Sequence, residues 1–143
     1  MTIRMEHANL AVQDIDESVR FLQTAFPEFR IRREGLNDGR RWIHIGTDDT
    51  YMALNEASLA RDSDRVPYDG RPGINHLGYE VDDVDALYDR LKTAGFRDST
   101  YPNSHPHRKR VYFNDADGND WEFVEYFTDD VSKRNDYELP DEA

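Results

Sequence analysis

The chain contains no cysteine, which excludes a disulfide framework, a thiolate metal ligand and a cysteine nucleophile. It has no apolar run long enough to span a bilayer. Its opening, MTIRMEHANLAV, is too short and too polar to be the core of a secretory signal. A soluble, cytoplasmic protein is the expectation that follows. Basic residues are scarce as well: 18 Lys and Arg stand against 30 Asp and Glu, a formal net charge of −12. Such a field repels nucleic acid and anionic membranes, so neither is expected as a partner, and small molecules remain. With 143 residues and 37% hydrophobic content, there is material for one domain with a real core.

What is present is an internal repeat. HANLAVQDIDESVRFLQTA, residues 7–25, aligns with HLGYEVDDVDALYDRLKTA, residues 76–94, at an offset of 69, with seven of nineteen positions identical. Chance would give roughly one. The same offset pairs Arg41 with Arg110, Asp48 with Asp117 and Glu56 with Glu125. Each copy reads as a strand, a helix and three more strands. His7–Val12 and His76–Val81 alternate as half-buried strands do. Asp14 and Asp83 stand at helix N-cap positions, with Asp16 and Asp85 favouring the first turn. Val19, Leu22 and Phe26 space one helical face; Val84, Leu87, Leu91 and Ala94 space the other. Pro27 and Gly95 stop the helices.

Further strands are expected near 29–34, 41–46 and 50–56, then near 97–101, 109–114 and 120–127. DDT at 48–50 and DADGN at 115–119 form the turns before each last strand. Residues 57–72 are polar, carry Pro and Gly, and read as a linker. Residues 128–143 form an acidic tail that wraps the surface or frays. The expected class is α+β: two tandem βαβββ modules, residues 3–56 and 73–127. Neither module has enough core alone, so both are expected to pack as one domain over residues 1–127.

The residues with chemical potential follow from strand parity. His7, Asn9 and Ala11 share one face of the first strand, and His76, Gly78 and Glu80 share the matching face of the second copy. The apolar faces should meet the helices, which leaves both histidines on the opposite, concave side. Neutral imidazole suits Fe, Mn, Ni or Zn, and a carboxylate completes such a site. The strand DWEFVEYF offers Glu122 and Glu125, whose spacing of three puts them on opposite faces, so only one can serve.

Strand-starting histidines in each βαβββ copy, then DxDG and a glutamate on the final strand, resemble the glyoxalase/bleomycin-resistance/dioxygenase (vicinal oxygen chelate) superfamily. The resemblance covers residues 3–127. It implies a concave, partly open mixed-sheet barrel with helices outside, and a homodimer. It also implies that the carboxylate ligand lies four residues after the turn glycine, which selects Glu122 and turns Glu125 away. The implied metal set is therefore His7, His76 and Glu122 around a divalent ion. Glyoxalase I members have a fourth ligand where this chain has Ala53, so a strict lactoylglutathione-lyase reading is weakened.

Arg110 and Tyr112 share a parity, and the resemblance turns that face to the cavity. Arg110 would fix a carboxylate or phosphate through its guanidinium fork. Tyr112 would act catalytically, donating to a developing oxyanion or assisting proton transfer. Asn9, His105 and His107 are further substrate-contact candidates. His44 is expected to face the helices as a packed residue, with Trp42 and Trp121 as core anchors. The expected function is metal-dependent chemistry on a small substrate with vicinal oxygens, by isomerase, transferase or dioxygenase reactions. The alternative is a metal-free protein of the bleomycin-resistance type that sequesters its ligand.

Overall fold

The computed structural model describes residues 2–60 and 66–138. Two compact units, Met1–Asp64 and Arg65–Ala143, divide the chain, and each carries one copy of the repeat. The class is α+β, with each copy folded as a βαβββ module around a four-stranded mixed sheet.

In the first unit the order is β1 (His7–Val12), α1 (Ile15–Ala25), β2 (Arg30–Asn37), β3 (Arg40–Gly46) and β4 (Tyr51–Glu56). The sheet runs β1-β4-β3-β2, with β1 parallel to β4 and the other pairs antiparallel. Helix α1 begins where Asp14 accepts the backbone N–H of Glu17 at 3.2 Å, a bond of the kind worth about 1 kcal/mol. It lies on β3 and β4 and buries Ile15, Phe21, Leu22 and Ala25 against Ile43, Ile45, Met52 and Leu54. Val19 is only half-buried, so the inward stripe is turned from the expected one to include Phe21. The β2–β3 hairpin is longer than expected. Asp38 (φ 51°) and Gly39 (φ 76°) both adopt the left-handed conformation that a tight two-residue turn demands.

The second unit contains β5 (His76–Glu80), α2 (Val84–Thr93), β6 (Arg97–Asp98), β7 (Arg108–Asn114), β8 (Asp120–Tyr126) and a short helix, α3 (Val131–Arg134). Its sheet order, β5-β8-β7-β6, repeats that of the first. Asp83 caps α2 by accepting from the Ala86 N–H at 2.9 Å. The helix ends in a Schellman motif: Phe96 N–H reaches Leu91 C=O at 3.1 Å while Gly95 takes φ 87°. Val84, Leu87 and Leu91 pack under β7 and β8 with Val111, Phe113, Trp121 and Phe123.

The expected strand at 97–101 closes after Asp98. Beyond it, Thr100 takes the strand's place through its side chain, its hydroxyl accepting from the Tyr112 N–H at 2.9 Å. Pro102, two residues on, has no N–H to give to a ladder. Asp115 is 8% exposed and organises the β7–β8 turn. Its carboxylate accepts the backbone N–H groups of Asp117 (3.0 Å) and Asn119 (2.9 Å), the Asn119 amide (3.0 Å) and the Trp121 indole (3.0 Å).

The expected linker is described at 57–60 and 66–72, and residues 61–65 lie outside the described residues. Of the expected acidic tail, residues 128–138 are described and 139–143 lie outside. The described part wraps the second unit: Arg134 pairs with Glu80 and lies 4.2 Å over the Tyr126 ring. Among the described residues no helix is long and apolar enough to cross a membrane.

Candidate functional site

In the second unit, register places the site. Gly78 and Tyr112 flank Glu122 across β5-β8-β7, Val124 lies between Glu80 and Arg110, and Asp120 between His76 and Asn114. Paired residues share a sheet face. His76, Glu122, Tyr112 and Arg110 therefore occupy one face, the one opposite α2. Glu125 takes the other face, where it accepts the Val84 N–H at 3.0 Å.

His76 Nε2 lies 2.9 Å from Glu122 Oε2, with the two side chains 35% and 16% exposed. The other ring nitrogen, Nδ1, is 2.8 Å from the Tyr68 hydroxyl. Tyr112 stands edge-on to the imidazole at 5.8 Å and is nearly buried, at 5% exposure. Its hydroxyl is 3.4 Å from that of Tyr101. Burial, first of all, then the Tyr101 hydroxyl and the Glu122 charge push the Tyr112 phenol far above its usual range, while Arg110 opposes this weakly. The Tyr112 phenol therefore stays protonated at physiological pH. The Arg110 guanidinium sits 5.6 Å from the Tyr101 ring centroid.

A cavity of about 520 Å³ opens between α2 and the edge of β7, lined by Asp85 and Tyr88 of the helix and by Asp98, Tyr101, Asn103 and Arg110 among others. It lies at the sheet edge that β6 leaves uncovered. Arg110 and Tyr101 line it, whereas His76, Glu122 and Tyr112 do not.

The three bases of HPHRKR go to three different tasks. Lys109 pairs with Asp85 on α2. Arg110 joins the site face. Arg108 is buried at 4% exposure and donates to the backbone carbonyls of Arg134 (3.4 Å) and Asp136 (2.9 Å), under the Tyr137 ring. His105 is 7% exposed, and its Nδ1 accepts the His107 N–H at 3.1 Å. Burial and the Arg108 charge push the His105 imidazole below its ordinary value. These two histidines thus belong to the segment that holds the tail.

In the first unit, His7 stacks on Tyr51 at 4.8 Å, and its Nδ1 is 2.9 Å from the Glu6 carboxylate. Asn9 accepts from the Asn55 amide at 2.7 Å. The expectation for His44 is corrected. It lies directly across from Ala53, which is itself across from Asn9, and its ring is 4.8 Å from that of Tyr51. His44 therefore shares the face of His7 and does not meet the helix. Trp42 is on that face too, 5.1 Å from His44 and stacked over Gly35, so it is no core anchor, whereas Trp121 is 1% exposed. Parity tells which residues share a face, but only the register with β4 tells which face that is. His44 faces Ala53 as Tyr112 faces Glu122.

Tyr68 was missed by sequence reasoning because it falls within the polar linker. Nothing in YDGRP marks an aromatic that folds back on a strand. Among the described residues, no three His, Asp or Glu side chains are grouped so as to hold a metal ion. What the second unit supplies toward one is the His76–Glu122 pair.

The solved structures similar to this chain include a glyoxalase family protein from Bacillus cereus (TM-score 0.74, 13% identity, covering 90% of this chain and 97% of that one). A glyoxylase/bleomycin resistance protein/dioxygenase domain from Frankia sp. matches with TM-score 0.69 and 24% identity, covering 88% and 99%. The fosfomycin resistance protein FosX from Listeria monocytogenes, crystallised with Mn(II) and sulfate, matches with TM-score 0.67 and 18% identity, covering 95% and 100%. The model of the Glyoxalase/Bleomycin resistance protein/Dioxygenase superfamily matches residues 4–123. Twin βαβββ modules with a histidine opening each, and a family match across most of the sequence, make this chain a member of that superfamily.

Proposed function

We propose that the chain is a metal-dependent enzyme acting on a small substrate with vicinal oxygens. The observation that carries this reading is the His76–Glu122 pair, an imidazole nitrogen and a carboxylate oxygen 2.9 Å apart on the face that also carries Tyr112 and Arg110. Nitrogen and oxygen donors of this kind fit Fe, Mn, Ni or Zn. His76 and Glu122 would hold the ion with His7, the repeat partner of His76, supplied by this chain or by a second copy in a homodimer. Bound there, a divalent ion supplies Lewis-acid polarisation of substrate oxygens. The likeness of fold to a FosX crystallised with Mn(II) makes Mn(II) the first ion to test.

The chain's own residues define the rest. Arg110 provides a forked cation for a carboxylate, phosphate or phosphonate group. Tyr112, held protonated, donates a hydrogen bond to an oxygen that gains negative charge. Asn9 is proposed as a further polar contact. Isomerisation, group addition and oxygenation all use these elements, and the substrate decides among them.

The test is elemental analysis after purification in metal-supplemented, chelator-free buffer, comparing the unaltered chain with His76→Ala. Near-stoichiometric Fe, Mn, Ni or Zn that disappears in the variant is the expected result. A chain without metal in either form would sink the proposal and leave the ligand-sequestering reading, to be screened with cationic aromatic compounds.

A further inference from the structure

We infer that Tyr68 fixes the tautomer of neutral His76, placing its proton on Nδ1 and leaving Nε2 as the nitrogen that a cation or a second proton shares with Glu122. A phenol has one proton to give. The Tyr68 hydroxyl is 2.8 Å from Asp120 Oδ2, and an ionised carboxylate only accepts, so the proton points there. Asp120 is 8% exposed and held on its other oxygen by the Ser99 hydroxyl at 2.6 Å and the Asn114 amide at 3.2 Å. Toward His76, 2.8 Å away, the phenol oxygen is left to accept, and Nδ1 must donate. The order of donation is His76 to Tyr68 to Asp120, with a buried acid at its end.

Two further observations agree. Tyr68 holds φ 67°, a left-handed conformation that bulky residues rarely adopt, with its N–H tied to Asn75 at 2.9 Å. The backbone is thus held out of its preferred region at the residue that reaches His76. The other strand-opening histidine has the same polarity by a shorter route: His7 Nδ1 faces the Glu6 carboxylate directly, at 2.9 Å. In both copies an acid claims Nδ1.

The consequence lies on the opposite side of the ring. With Nδ1 protonated, a neutral His76 turns a lone pair toward Glu122 Oε2 at 2.9 Å. Two acceptors at that distance repel unless a proton or a metal cation sits with them. Tyr68 is accordingly a positioning residue: it acts through His76 and makes Nε2 available as a ligand atom, as outer hydrogen bonds do for metal-binding histidines. Its use for metal binding rests on the proposed function, whereas the tautomer itself does not.

The experiment reads both separately. Imidazole nitrogen chemical shifts are recorded on histidine-labelled, metal-free protein above the histidine titration range, with His76 identified by its loss in His76→Ala. Mn(II) affinity is measured by calorimetry on the same samples. The expected result is the Nδ1–H tautomer at His76, conversion to Nε2–H in Tyr68→Phe, and Mn(II) affinity reduced about 10- to 100-fold in that variant. Unchanged shifts for the other four histidines report that the variant is folded. An Nε2–H tautomer in the unaltered chain, or an Nδ1–H tautomer that survives Tyr68→Phe, overturns the inference. If the tautomer behaves as expected but the unaltered chain binds no Mn(II), the role of Tyr68 stands and the Mn(II) site falls.

Discussion

Glu125 accepts the backbone N–H of Val84, the first residue of α2, at 3.0 Å. That bond commits Glu125 to the helix face and leaves Glu122, three residues earlier, to the open face. The two acids of one strand thus have different partners, the start of α2 for Glu125 and His76 for Glu122.

Their variants should therefore behave in opposite ways. Glu125→Ala leaves a helix-terminal N–H without its acceptor and is expected to cost about 1–2 kcal/mol in urea denaturation, with metal content unchanged. Glu122→Gln is expected to stay within about 0.5 kcal/mol of the unaltered stability and to lose bound metal. Equal loss of metal in both would contradict the assignment of faces.

Asp115 accepts from four donors at one turn. Asp115→Ala strands those donors, including the Trp121 indole, and is expected to destabilise by roughly 2–4 kcal/mol. Asp115→Asn keeps one acceptor oxygen and should fall between. Thermal unfolding followed by tryptophan fluorescence ranks the three; an Ala variant as stable as the original would refute the account.

The tyrosines predict the alkaline limit. Burial pushes the Tyr79 phenol up to about 12, and burial with its neighbours pushes Tyr112 higher still. A phenol whose folded pKa exceeds its unfolded value of about 10 favours the native state's neutral form. Its stability contribution is complete below pH about 10 and is lost as pH rises through the folded value. Phenolate absorbance should therefore rise later in native than in urea-unfolded protein, with stability declining from pH about 10 upward. Coincident titration curves would be the contrary result.

Arg108 ties the tail to β7 through two carbonyls and the Tyr137 ring. Hydrogen bonds from a charged donor contribute about 1.5–3 kcal/mol each. Arg108→Ala should raise amide exchange in residues 130–136 by about tenfold or more and expose the tail to protease, without altering the His76 signals. Unchanged exchange would show that Arg134 and Glu80 suffice to hold the tail.

The repeat made most of the architecture legible. Asp14 and Asp83 cap their helices as read, because an N-cap needs only a short acceptor beside a helical stripe. That Glu122 and Glu125 take opposite faces was legible as well, since strand alternation is a local property. The strand expected at 97–101 was not, because its pairing fails when Thr100 satisfies β7 with a side chain. Phe21 replaced Val19 in the core because both fit a helical period, and only the sheet beneath decides the rotation.

The sequence by itself determined two βαβββ copies, their capped helices, the parity of the strand that opens each copy and the family to which they belong. These follow from spacing along one chain, where backbone geometry is periodic and caps act over three or four residues. Only the tertiary structure decided that His44 and Trp42 face with His7, that Arg108 holds the tail, and that Tyr68 and Asp120 stand behind His76. Those relationships depend on strand register and on a loop folding back. They join residues eight to fifty-two apart, so no local pattern encodes them.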